Sequence, residues 1–88
     1  MTWKIEFTPE AAQQLRELGA EPARRIAKTL RDRIAVRDDP RSAGQPLVGA
    51  WTGYWRYRIG DYRVIARIED GRVLILVVRI AHRREVYR

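Results

Sequence analysis

The sequence predicts an α+β fold: a helix hairpin packed on a small, mainly antiparallel sheet, in the order β-α-α-β-β-β. Three observations carry this expectation. A stretch near the start alternates apolar and polar residues, two later stretches repeat apolar residues at helical spacing, and three runs of period two follow. At 88 residues the chain has room for one domain, taken as residues 1–88.

The first strand is Trp3 to Phe7, where Trp3, Ile5 and Phe7 alternate with Lys4 and Glu6. Thr8 and Pro9 then read as N-cap and first helical position, with Glu10 favouring the positive end of the helix dipole. Ala11, Leu15 and Leu18 follow at helical spacing, Gly19 closes this helix, and Pro22 opens the next. The second helix carries the stripe Ala23, Ile26, Ala27, Leu30 and Ile34 and stops at Asp38-Asp39-Pro40. Residues 38–53 are rich in glycine and proline and predict a loop, with a short strand near Leu47. Strands are expected at Tyr54–Ile59, Tyr62–Glu69 and Val73–Ile80, joined by turns at Gly60-Asp61 and Asp70-Gly71. Val73 to Val78 is apolar throughout, which predicts a central strand covered on both faces.

Composition narrows the function. The chain has no cysteine and one histidine, which excludes disulfide scaffolds, thiolate metal sites and multi-histidine zinc catalysis. No metal site and no cofactor is expected. The longest apolar run is six residues, too short to span a membrane, and the N-terminus lacks a secretory pattern, so a cytoplasmic protein is expected. Eighteen basic residues face eleven acidic ones, for a net charge of +7, and all the basic residues but Lys4 and Lys28 are arginine. Arginine presents a planar fork of donors matched to phosphate and stacks on bases, so nucleic acid or an acidic protein is the expected partner.

A two-residue turn at Gly60-Asp61 would pair Ile59 with Tyr62 and Arg58 with Arg63. Arg56 then shares their face, while Trp55, Tyr57, Ile59, Tyr62, Val64 and Ala66 face the helices. A one-residue bulge would flip part of this set. Like charges opposite one another across strands cost stability, so such a face suits an anion. The outer face of the second helix adds Arg24, Arg25, Lys28 and Arg31, a further surface for RNA phosphates. Trp55 is assigned to the core, and Trp51 to a lid over the sheet edge.

With these residues in view, the chain resembles the RelE side of the RelE/ParE toxin superfamily. The likeness rests on Phe7-Thr8-Pro9-Glu10-Ala11, on Leu47-Val48-Gly49, on the run from Tyr57 to Ile65, and on the tail His82-Arg83-Arg84-Glu85-Val86-Tyr87. It implies a bacterial toxin silenced by an antitoxin with an acidic, partly disordered segment. The best-known relatives of this type act in the ribosome, cutting mRNA by 2′-OH attack to leave a 2′,3′-cyclic phosphate. Carried over position by position, the resemblance gives Arg56 as a phosphate contact and Arg63 as the transition-state stabiliser. It gives Arg83 as acid or phosphate ligand and Tyr87 as a base-stacking residue that helps activate the 2′-OH. The best-known member has lysine where this chain has Tyr54 and Arg56, so Tyr54 is placed with Arg58 among the RNA-contacting residues. ParE-type relatives share the fold but poison DNA gyrase, and a degenerate module that only binds antitoxin is a further alternative. The set Arg56, Arg63, Arg83 and Tyr87 favours the nuclease.

The chemistry is compatible with these residue types. The nucleophile resides in the RNA, so the protein must align it, stabilise charge on the phosphorane and move protons. Arginines serve the second task and are poor proton carriers. Tyr87, whose phenolate nearby cations favour, and His82, a side chain suited to acid/base work near neutral pH, are the two candidates for the base.

Overall fold

A computed structural model of the protein describes residues 2–82. Strand β1 spans Lys4–Phe7 and leads through Thr8 into helix α1, Pro9–Glu17. The Thr8 hydroxyl accepts the Ala11 N–H at 3.2 Å, and Pro9 opens the first turn, as the sequence predicts. Gly19, at φ 95°, turns the chain directly into α2, Ala20–Thr29, so this helix begins before Pro22 rather than at it. Proline is harmless there, because the first four N–H groups of a helix have no partner within it.

The apolar stripe of α2 runs on into a wider turn, Leu30–Ile34, in which the Ala35 N–H donates to the Leu30 carbonyl five residues back at 2.8 Å. The wider turn rotates Leu30, Ile34 and Ala35 together into the core, where each is no more than 4% exposed. Short 3₁₀ turns at Pro40–Ala43 and Gly49–Trp51 flank β2, Gln45–Pro46. Then come β3, Trp55–Ile59, β4, Tyr62–Glu69, a 3₁₀ turn at Asp70–Arg72, and β5, Leu74–His82.

The sheet order is β1-β5-β4-β3-β2, with β1 parallel to β5 and the other neighbours antiparallel. The expected order β-α-α-β-β-β thus gains one short strand, close to the one anticipated near Leu47. β5 is interior, between β1 and β4, but β4 holds the centre. The last hairpin is longer than a two-residue Asp70-Gly71 turn: Val73 sits in the left-handed region at φ 49° and β5 starts one residue later. A β-branched residue avoids that region, but here the Val73 carbonyl accepts the Lys4 N–H at 2.9 Å and its side chain packs on the core.

The helices cover one face of the sheet, and the main core lies between, including Ile26, Leu30, Tyr57, Val64, Ile75 and Val77. The six residues expected beneath the helices, Trp55 to Ala66, all join that core. The opposite face carries a small second cluster, Ile65 and Ala81 with Leu47, Trp51, Tyr54 and Val78. Three contacts hold the loop after α2. Trp3 Nε1 donates to the Asp38 carbonyl at 3.3 Å, and the buried Tyr57 hydroxyl donates to the Pro40 carbonyl at 2.9 Å. Arg41 grips Asp70 with two hydrogen bonds of 3.1 and 2.6 Å. Among the described residues no helix is long and apolar enough to cross a membrane.

Candidate functional site

The β3–β4 hairpin builds the cationic face. Its register pairs Ile59 with Tyr62, Arg58 with Arg63 and Arg56 with Ile65, as the Gly60-Asp61 turn predicts. Glycine is required at this turn: Gly60 has φ 58°, and a Cβ there would stand 3.2 Å from Arg25 Cζ. Gly60→Ala is expected to destabilise the protein by about 1–2 kcal/mol through the left-handed conformation alone. A thermal unfolding scan beside wild type checks this.

On the open face Arg56 Nη2 donates to Gln45 Oε1, and Arg63 Nη1 donates to the Tyr62 carbonyl at 3.1 Å. The strand next door adds a residue that sequence reasoning missed. A bulge opposite Ile65 and Ala66 inserts one extra residue into β5, so Val77 pairs with Ala66 while Arg79 pairs with Ile65. Arg79 is therefore in register with Ile65 and Arg56, and at the open edge of β5 it also lines a pocket with Gln14 and Glu17 of α1, with Leu18 at its C-cap, and with His82. Its Nε is buried and has no hydrogen-bond partner among the described residues.

The same bulge carries His82 the other way. It pairs with Tyr62, and the two rings meet edge to face at 5.9 Å. Tyr62 packs on the helix-side core, so the register does not bring His82 to the arginine face. Arg83 and Tyr87 lie outside the described residues. Tyr54 is on the open face, in edge-to-face contact with Trp51 at 5.4 Å, and both pack on the second cluster. Trp51 therefore covers that cluster, in keeping with the role of a lid.

A second basic feature lies between α2 and the end of β3. A groove of about 610 Å³ is lined by Arg25, Lys28, Asp32, Arg33 and Arg58, with Thr29, Ile59 and Gly60. Of the four basic α2-face residues named from sequence, Arg25 and Lys28 line it. Arg24 instead approaches Glu21 at 3.9 Å, and Arg31 pairs with Asp32 at 3.2 Å. Asp32 also holds Lys28 at 3.0 Å, and that hydrogen bond is the main reason its carboxyl titrates below the usual carboxylate range. Arg33 was not anticipated. It lies within the turn Leu30–Ile34, whose widened geometry a regular helical wheel does not capture. Among the described residues no group of three or more His, Cys, Asp or Glu side chains is placed to hold a metal ion.

A helix hairpin on one face of a mixed five-stranded sheet is also the architecture of solved RelE-type toxins. The chain belongs to the family described as the ParE toxin of type II toxin–antitoxin systems, whose model matches residues 5–87. It is 29% identical to toxin RelG of Mycobacterium tuberculosis over 100% of this chain and 99% of that one. It is also 29% identical to toxin RelE of the same organism, over 98% of this chain and 87% of the relative. The fold matches the RelBE2 toxin–antitoxin complex of M. tuberculosis with a TM-score of 0.84 at 23% identity, covering 93% of this chain and 92% of that one. The archaeal RelE–RelB complex of Pyrococcus horikoshii matches with a TM-score of 0.73 at 26% identity, covering 98% and 100%.

Proposed function

We propose that this type II toxin is an mRNA endonuclease that acts on the translating ribosome and is silenced by a cognate antitoxin. The observation that carries the reading is the direct cross-strand pairing of Arg58 with Arg63, on the face shared by Arg56 and Arg79. Like charges paired across neighbouring strands cost stability, a cost that a bound phosphate would offset. In this reading Arg56 and Arg58 bind the scissile phosphate and its neighbour, and Arg63 meets the charge that develops on the phosphorane. Arg83 serves as acid or phosphate ligand. Tyr87 is the preferred base, because the β5 bulge turns His82 towards Tyr62. Tyr54, Arg24, Arg25, Lys28 and Arg31 contact RNA outside the reacting bond. With a single histidine the chain lacks the His–His pair of a freestanding ribonuclease, which fits an enzyme that relies on the ribosome to orient its substrate.

The family model's own description favours a second reading, inhibition of DNA gyrase without nuclease activity. Primer extension on a translated mRNA after induction separates the two. Wild type is expected to give discrete cleavage products ending in a 2′,3′-cyclic phosphate, and Arg83→Ala to give few or none. Intact mRNA together with inhibited supercoiling would establish the gyrase reading instead.

A further inference from the structure

The loop from Leu47 to Tyr54 closes on itself. The Leu47 N–H donates to the Tyr54 carbonyl and the Tyr54 N–H to the Trp51 carbonyl, both at 3.0 Å. The Thr52 hydroxyl donates to the Gly49 carbonyl at 2.7 Å, and Gly49 and Gly53 take positive φ of 69° and 97° on either side of Trp51. Hydrogen bonds of the loop's own thus present Trp51 with Tyr54 on the open face of the sheet. The two rings meet edge to face, a contact that leaves ring faces of the pair to a third flat group. Val48, 84% exposed, continues the apolar surface beside them. The surroundings are cationic. Arg56 lies two residues beyond Tyr54 along extended chain, so the two side chains share a face about 7 Å apart. Arg67 pairs with Glu69 at 2.9 Å and also hydrogen-bonds the Tyr54 side chain. No acidic residue occurs between Asp39 and Asp61.

We propose that Trp51, braced by Tyr54, is a stacking platform for one base of the RNA, beside the phosphate that Arg56 holds, and that it favours a purine there. The proposal rests on the RNA substrate of the reading above. Ring chemistry selects the ligand first. Unpaired bases of single-stranded RNA stack on aromatic side chains, whereas an aliphatic protein segment gains nothing from a flat ring. Charge selects it next. A base arrives with a phosphate attached, which Arg56 can take, while an apolar segment offers that arginine no anion. The loop is ordered before the ligand arrives, so stacking carries little further cost in entropy. Preference follows from ring size: a purine presents the larger π-face, and stacking strength sets the modest base preferences of such platforms. The arginines themselves cannot supply this choice, because contacts to phosphate carry no sequence information.

The test uses the full chain with three fluorescein-labelled probes of equal length: 2′-O-methyl oligonucleotides of adenine and of uracil, and an abasic oligomer that carries the charge without the rings. Affinity is read by anisotropy at low salt. Wild type is expected to bind the adenine oligomer most tightly and the abasic one least. Trp51→Leu keeps an apolar cover over Ile65 and Ala81 but removes the flat ring. It is expected to weaken the adenine oligomer by about 5- to 100-fold, the span for one stacked base, and the abasic oligomer by less than about twofold. Trp51→Phe is expected to recover most of the loss. Circular dichroism and thermal unfolding check that both variants fold. If Trp51→Leu does not fold, the contrast between adenine and abasic oligomers on wild type and Trp51→Phe decides. Equal weakening of the two oligomers by Trp51→Leu, unchanged adenine binding, no recovery with phenylalanine, or no discrimination by wild type would overturn the proposal and leave Trp51 as a cover for the cluster. No readout involves cleavage, so intact mRNA in primer extension would count against the nuclease reading and not against the platform.

Discussion

Arg63→Ala is expected to lower mRNA cleavage by about 10²–10³, the usual cost of removing one preorganised group that meets charge developing in a transition state, or about 3–4 kcal/mol. The same change is expected to leave folding intact or to improve it. Arg63 faces Arg58 across the hairpin, and removing either member of a like-charged pair relieves repulsion between the strands. The hydrogen bonds that Arg63 makes to the Tyr62 and Gly60 carbonyls lie at the strand end and the turn, where Gly60 already sets the backbone, so their loss is expected to cost less than the relief of repulsion gains. Opposite signs for activity and stability are the signature of a residue kept for function. Cleavage is measured by primer extension in a translating extract, and stability by thermal unfolding of the same preparation. If Arg63→Ala unfolds the protein, the arginine row is structural and the assignment of charge stabilisation to it fails.

The parts of this molecule that were readable in the sequence are those fixed by local chemistry. Thr8-Pro9 sets the start of α1 because cap geometry involves only neighbouring residues. Gly60-Asp61 sets the hairpin because glycine alone takes the turn's positive φ without strain, and the turn then dictates that Arg58 meets Arg63. One inserted residue in β5 marks where this reasoning stopped. Without the bulge, Arg79 would alternate with Ile75 and Val77 onto the helix side, and His82 would stand on the open face near Arg63. The bulge shifts both by one place in register, pairing Arg79 with Ile65 and His82 with Tyr62. Nothing in Val77-Val78-Arg79 announces an insertion, since each residue is compatible with an ordinary strand. The loop at residues 38–44 was unreadable for a different reason: its order comes from Trp3, Tyr57 and Asp70, all distant in sequence.

That dependence makes Tyr57 the side chain whose loss should cost the fold most. Its ring is 1% exposed, its hydroxyl donates to Pro40, and Gly44 lies so close that a Cβ there would come within 2.8 Å of the ring. Tyr57→Ala is expected to cost about 3–5 kcal/mol, the range for emptying an aromatic site in a core. For a chain this size total stability is on the order of 4–13 kcal/mol, so a large unfolded fraction is expected at 37 °C. Tyr57→Phe keeps the ring and removes one hydrogen bond, for about 1–2 kcal/mol, with the Pro40 carbonyl left unpaired. The pair also differs from wild type in alkali. Burial pushes the Tyr57 hydroxyl up from 10.0 to about 12, so the folded state holds this proton more tightly than the unfolded state does. Stability from this group is complete below pH 10 and is lost as pH rises towards 12. Urea denaturation across that window should therefore show a falling midpoint for wild type and a flatter one for Tyr57→Phe. Equal slopes for the two proteins would mean that the hydroxyl ionises as readily in the folded protein as in the unfolded chain, and that the loop is held by packing against the ring alone.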